Sequence, residues 1–265
     1  MRRFNVPTRM PRLGIGSAGL LLLVGGLWCI GNSPRGTGAD ASPPPRLLLV
    51  TGRDYPGHVW RETAPVLRQL LERNGRFTVS VIEDPHLLDS AALTNYDAVL
   101  LHFQNWQTAG PGEAARENLR RFVAGGGGLA AVHFACGAWF GEWPEFKQII
   151  GRVWHGPVGS QHDPRGPFTV HITAQDHPVT RGLTDFETDD ELYTCLTGEA
   201  PIQVLATARS KVDGKDHPLV WVREYGRGRV FVTTLGHDVR ALTNSSVTSL
   251  LCHGCAWAAR DAGRR

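Results

Sequence analysis

The run from Gly125 to Trp139 constrains this chain more than any other. Glycines fill Gly125 to Gly128, Leu129-Ala130-Ala131-Val132 follows, and His133-Phe134-Ala135-Cys136-Gly137-Ala138-Trp139 completes it. An apolar run bounded by glycine, too short for a helix and lacking polar alternation, reads as a strand covered on both faces, as in parallel sheets packed between helices. The preceding segment, Glu113 to Ala124, predicts a crossover helix. His133 then stands where the strand ends, and ligands of open α/β sheets bind in the crevice beyond the carboxyl ends of their strands. A histidine satisfied by backbone groups in a tight turn is the plain alternative.

The same pattern recurs upstream. Arg46 to Val50 reads as a first buried strand ended by Thr51-Gly52, and a helix is predicted from about Trp60 to Arg73, with Leu67, Leu70 and Leu71 on its inner face. Phe77 to Ile82 alternates as a second strand, and Asp97 to Leu101 supplies a third that runs into His102-Phe103-Gln104-Asn105-Trp106. Strand, helix, strand, helix at this spacing is the βαβ signature. The second half is less regular: strands are expected at Phe168–Ile172, Phe186–Thr188, Ile202–Ala206, Leu219–Val222 and Arg229–Thr233. Gly226-Arg227-Gly228 reads as a hairpin turn, and a closing helix is expected from Ser246 to Arg260. With 265 residues, 42% hydrophobic and 20% charged, the chain can bury one substantial core. Its 28 basic and 25 acidic residues form no block of one sign, which leaves nucleic-acid binding without an electrostatic footprint.

Residues 1–45 are set apart. Arg2, Arg3, Arg9 and Arg12 precede the apolar segment Gly14 to Gly31, and a Pro/Gly-rich stretch containing Ala39-Asp40-Ala41 leads to Pro45. This is the order of a secretory signal, with an uncleaved signal anchor as the alternative. The expectation is an exported protein, periplasmic or extracellular, or one held at the membrane by that segment alone, with a single α/β domain over residues 46–265. Of the cysteines beyond the leader, Cys252 and Cys255 have C-x-x-C spacing without a second pair, and read as packed thiols in the closing helix.

Polar and aromatic residues gather at the expected strand ends. Asp54, His58 and Trp60 follow the first strand, Gln104 and Trp106 the third, and His133 and Trp139 the fourth; His155, Asp190, Glu191, His237 and Asp238 come later. Imidazoles and carboxylates can move protons near neutral pH or hold a divalent metal such as Zn, with His58, His133 and His237 as candidate ligands. Indole faces stack on the C–H faces of sugar rings. Each has a plain counterpart: His58 fits a helix-start contact, His102 a packed strand end, Trp154 and Trp221 core positions. No HExxH spacing is present. Cys136, next to a glycine just past a strand, resembles a nucleophile elbow but lacks the small residue two places earlier.

Taken together, Val50-Thr51-Gly52 through His58-Val59-Trp60, the Gly125 to His133 run, Asp176-His177-Pro178-Val179-Thr180-Arg181-Gly182-Leu183, Asp190-Glu191-Leu192-Tyr193 and Pro218 to Asp238 resemble the ThuA-like (trehalose utilisation) family. That family belongs to the class I glutamine amidotransferase-like superfamily. The resemblance implies a three-layer flavodoxin-like α/β fold, a mostly parallel sheet with helices on both faces. It also implies a role in carbohydrate metabolism, on sugars oxidised to keto forms, with His58, His133, Glu191 and His237 as catalytic positions. Where amidotransferases carry the elbow cysteine, this chain has His133, which argues against glutaminase chemistry. Trp154-His155-Gly156-Pro157 departs from the family, where His precedes Pro directly.

Three readings follow: an exported enzyme acting by proton transfer on a keto-sugar or glycoside, metal-assisted or not; a catalytically silent carbohydrate-binding or scaffold module; and a Cys136 hydrolase. The expected partner is a small-molecule carbohydrate, with a homo-oligomer left open.

Overall fold

The structure is a computed structural model that describes residues 43–53, 57–155 and 159–260. The expected leader up to residue 42, and Asp54, lie outside the described residues. Among the described residues eleven strands and five α-helices follow one another as β1 (Arg46–Val50), α1 (Trp60–Glu72), β2 (Thr78–Ile82), β3 (Ala98–Leu101), α2 (Glu113–Ala124), β4 (Gly128–Val132) and α3 (Pro144–Ile150). Then come β5 (Gln161–His162), β6 (Gly166–Ile172), β7 (Phe186–Asp190), β8 (Tyr193–Thr194), β9 (Gln203–Arg209), β10 (Asp216–Tyr225), β11 (Gly228–Thr233), α4 (Val239–Leu242) and α5 (Ser245–Ala258).

A nine-stranded sheet has the order β2-β1-β3-β4-β11-β10-β9-β6-β7. From β2 to β11 every neighbour is parallel. Beyond β11 the pairing is antiparallel, so β10 and β6 alone run against the rest. The parallel half has the flavodoxin-type order, whose crevice opens where the chain leaves β1 and β3 on opposite sides.

The apolar runs explain the layering. Along β1, Leu47 and Leu49 face one side and pack with α1 and α5 through Leu67, Leu71, Val247 and Leu251. Leu48 and Val50 face the other, with α2 and α3 through Leu119, Val123, Phe146 and Ile149. A strand covered on both faces has no solvent side and therefore no alternation, which is why β1, β3 and β4 read as unbroken hydrophobic stretches. Each fully buried leucine contributes roughly 1.5–3 kcal/mol over an exposed one.

The β10–β11 hairpin turns through Gly226-Arg227, with Tyr225 opposite Gly228. Sequence reasoning missed the short α3 and α4 and the two-residue strands β5 and β8, because segments of that length carry no measurable period. β6 pairs with β9 only through His171 and Ile172. The β6–β7 hairpin brings the end of β7 to the loop after β11, where the Asp190 carboxylate accepts from the Gly236 and His237 backbone N–H groups at 2.7 and 3.1 Å.

Candidate active site

Strands β1, β3, β4, β11 and β7 all run the same way, so the segments leaving their ends meet at one edge. His58 precedes α1, His133 is the first residue after β4, Glu191 the first after β7, and His237 follows β11. The structure brings these residues together. Glu191 Oε2 lies 3.1 Å from His237 Nδ1, 3.5 Å from His133 Nε2 and 4.0 Å from His58 Nε2. One donor atom from each of the four lies within 4.8 Å of the others.

His133 is fully buried and adopts φ 50°, a left-handed conformation rare for a side chain with a Cβ. Its strand end is thus a sharp elbow that turns the ring into the crevice. Nδ1 lies 2.6 Å from the Thr234 carbonyl oxygen, which can only accept, so Nδ1 holds the proton and Nε2 turns a lone pair toward the cluster. The Tyr193 hydroxyl, 3.0 Å from that Nε2, donates to it. Gly236, at φ 110°, provides the turn that carries His237 inward.

Electrostatics follow from this crowding. Burial would raise the Glu191 carboxyl, but the facing imidazoles of His133, His237 and His58 outweigh it and hold the group well below the usual carboxylate range. Burial lowers His133 to about 4 against the pull of Glu191, with His58 and His237 adding to the decrease. Burial pushes Asp190 up to about 6, opposed by its hydrogen bonds from the Gly236, Glu191 and His237 backbone N–H groups. Asp190 therefore positions His237 and Glu191 and is not a ligand-binding group in the cavity.

The donor set fits a divalent cation. Three imidazoles and a carboxylate each turn one ligand atom toward a common point, and the carbonyl behind His133 is the kind of outer-shell partner that orients an imidazole toward a cation. Through His58 and Glu191 the cluster borders a cavity of about 100 Å³, lined also by Gln104, Trp106, Phe134, Gly137, Trp154, His162 and Tyr193. Trp154 packs on Tyr193 with ring centroids 4.5 Å apart, forming one aromatic wall.

Other expected residues lie elsewhere. Trp139 is fully buried among Phe103, Trp143 and Phe146, its indole N–H donating to the Pro111 carbonyl, so it is core and not a stacking floor. Trp60 packs on the α1 side of the sheet under the Arg61 guanidinium. Asp238 caps α4 through the Ala241 N–H and pairs with Arg165. His155 stands edge-on to Phe140, outside the cavity lining. Gln104 and Trp106 do line it.

Cys136 is fully buried and burial pushes its thiol up to about 12, which removes the thiolate that a nucleophile needs. His102 is a buried strut between the Thr51 and Thr63 hydroxyls, separated from His58 by the Phe134 ring. Phe134, His162 and Tyr193 were missed as lining residues, and Trp154 was read as core. Tyr193 had a signal, since two residues beyond Glu191 on an extended segment places it on the same side. His162, opposite Tyr193 in the β5–β8 pair, had none.

A ThuA-like protein from Parabacteroides merdae superposes with a TM-score of 0.76 at 28% identity, covering 84% of this chain and 92% of its own. One from Bacteroides uniformis gives 0.65 at 19% identity, with 85% and 95% covered. The fold also occurs in a β-galactosidase from Bacillus circulans sp. alkalophilus, TM-score 0.54 at 15% identity, where 84% of this chain matches 32% of that one. That is a distant likeness to a carbohydrate-active enzyme, in fold alone. No curated protein matches the chain. Residues 46–258 match the family described as ThuA, trehalose utilisation, and the chain belongs to it.

Proposed function

We propose that this protein is an exported carbohydrate-active enzyme whose His58, His133, Glu191 and His237 hold a divalent cation, most simply Zn, and act on a sugar or glycoside bearing a keto group. The observation that carries the reading is the convergence of three imidazoles and one carboxylate within 4.8 Å beside an aromatic-walled cavity. His58 and Glu191 both line that cavity, so the open side of the cluster faces the space a ligand would fill. When bound, the cation supplies Lewis acidity to a carbonyl or hydroxyl oxygen of the sugar.

The remaining work falls to the chain. Tyr193, whose hydroxyl already touches His133 Nε2 at 3.0 Å, is placed to hand a proton to or take one from a ligand oxygen. The buried Gln104 presents an amide for orienting sugar hydroxyls, its side-chain oxygen bonded by the Trp106 backbone N–H at 2.9 Å. The Trp154–Tyr193 wall lies along the C–H faces of a ring.

The test is elemental analysis of the untagged protein together with turnover on keto-glycosides and their parent glycosides. One equivalent of metal, lost in His133→Ala, and turnover confined to keto substrates are expected. Absence of stoichiometric metal after reloading, with no binding of any sugar, would refute the reading. Sugar binding without turnover would instead favour a binding module.

A further inference from the structure

A groove between α1 and α5 shares no residue with the cavity beside the His/Glu cluster. Its volume is about 370 Å³, and its lining carries two arginines, a histidine, an asparagine and two hydroxyls, with no carboxylate.

The turn between α1 and β2 sets the two arginines side by side. Asn74 (φ 60°, ψ 26°) and Gly75 (φ 62°) are consecutive left-handed residues, and the Arg76 N–H donates back to the Arg73 carbonyl at 3.4 Å. Asn-Gly is the pair such a turn asks for, since both central residues need positive φ. A four-residue turn keeps its first and last Cα atoms within about 7 Å, so Arg73 and Arg76 leave it as neighbours. The adjacent acid is committed elsewhere: Glu72 accepts from Arg68 Nε at 3.1 Å and from the Val79 N–H at 3.3 Å. Among the described residues, no carboxylate oxygen lies within 4.0 Å of either guanidinium.

Helix α5 forms the opposite wall. Thr248 and Ser249 donate their hydroxyl protons to the Leu242 and Ser245 carbonyls, both at 2.9 Å, which leaves each hydroxyl oxygen as an acceptor. Burial raises the Cys252 thiol, and the Arg76 and Arg73 charges oppose it. Burial also lowers His253, the Val179 carbonyl opposes that, and Arg76 adds to the decrease. Arg76 therefore faces α5 across the groove. Guanidinium forks match the oxygens of a phosphoryl group two at a time, and such charge-assisted bonds are the strong ones. A groove of this size takes more than a bare oxyanion, and the acceptors on its far wall call for hydroxyl donors.

We infer that this groove binds a small organic phosphate that also carries hydroxyl groups. Its phosphoryl oxygens would rest on Arg73 and Arg76, and its hydroxyls would donate to Thr248 and Ser249. The site is separate from the cluster and stands independently of the metal and carbohydrate readings.

The experiment is titration calorimetry on protein stripped of metal with chelator and then dialysed, using glycerol 3-phosphate, inorganic phosphate and glycerol. One equivalent of glycerol 3-phosphate should bind, at least about tenfold tighter than inorganic phosphate, and glycerol should not bind. Arg73→Gln and Arg76→Gln should each weaken both phosphates by about tenfold or more. Ser249→Phe, which keeps both arginines but fills the groove, should weaken the ester as much, and His133→Ala should leave it unchanged. Arginines that only complement the carbonyl end of α1 would lower thermal stability when replaced, with no phosphate binding to lose. Absence of saturable phosphate binding, or binding that survives both arginine replacements, overturns the site. Loss of binding in His133→Ala would move the phosphate to the cluster and overturns it equally. Equal affinity for inorganic phosphate and the ester overturns the organic ligand and makes a free oxyanion the occupant.

Discussion

His102 sets a measurable pH dependence on the stability of the layer beneath the site. The ring is fully buried, with Nδ1 3.2 Å from the Thr51 hydroxyl and Nε2 3.2 Å from the Thr63 hydroxyl. Burial, with smaller contributions from His133 and His58, lowers its pKa to about 3. In the unfolded chain a histidine titrates near 6.5. Between those values the unfolded state binds a proton that the folded state refuses, so this contribution to stability is complete above about pH 6.5 and is lost as pH falls toward 3. Each pH unit in that window costs about 1.4 kcal/mol, or close to 3 kcal/mol between pH 7 and about 4.5. His133 and Glu191, both depressed, add loss in the same direction, and Asp190, raised to about 6, opposes it. The total curve therefore does not isolate one group. The comparison with His102→Gln does, since a neutral amide can reach the same hydroxyls without titrating. Urea unfolding followed by tryptophan fluorescence, in chelator so that metal adds no proton linkage of its own, should give a wild-type minus variant difference that is flat above about pH 6.5. Below it the variant should lose about 1.4 kcal/mol less per unit. Parallel loss in the two proteins would show that His102 is charged or solvated in the fold, and would refute the reasoning.

Zinc at a hundredfold excess over its Kd should stabilise the protein by about 2.7 kcal/mol. That is roughly 5–10 °C in Tm for a domain of this size, read by differential scanning calorimetry; Glu191→Gln should shrink the shift, and an unchanged shift would place the metal elsewhere. In the native protein a thiol reagent should label the exposed Cys195 and leave Cys136 and Cys255 untouched until unfolding. Native labelling of Cys136, read by mass spectrometry, would contradict its burial. Gly236→Ala puts a Cβ 2.8 Å from Leu242 Cδ2 at φ 110°. It should cost about 1–3 kcal/mol in denaturant unfolding and weaken zinc binding by displacing His237, whereas a neutral effect would mean the loop relaxes freely.

How far the site could be read from the sequence depended on what fixes each residue. β1, β3 and β4 were legible because burial on both faces leaves an unbroken apolar run, and His58, His133, Glu191 and His237 because each follows a strand or occupies a family motif. Trp106 and Trp139 show where that logic ends. Both are indoles just past strand ends, yet Trp139 is enclosed by Phe103, Trp143 and Phe146 while Trp106 remains 43% exposed on a loop held by Glu142. The difference is made by tertiary contacts, Phe103 against Trp139 and Glu142 beneath the Trp106 loop, which no local pattern carries. Trp154 was hidden the same way, and His162 comes to the cavity through the two-residue pairing of β5 with β8. The antiparallel extension from β10 to β7 was expected only as a set of strands, since register and order beyond the βαβ units depend on nonlocal pairing.

The hydrogen bonds from Gly236 and His237 to Asp190 have a consequence for how the protein is made. His58 and His133 leave the ribosome long before His237, and the end of β7 beside Glu191 lacks its Asp190 hydrogen bonds until the loop after β11 exists to donate them. A growing chain thus carries two isolated imidazoles and no chelating pocket. On the proposed metal reading the four donors are complete only once synthesis has passed His237, and a fragment ending before that residue should bind zinc weakly.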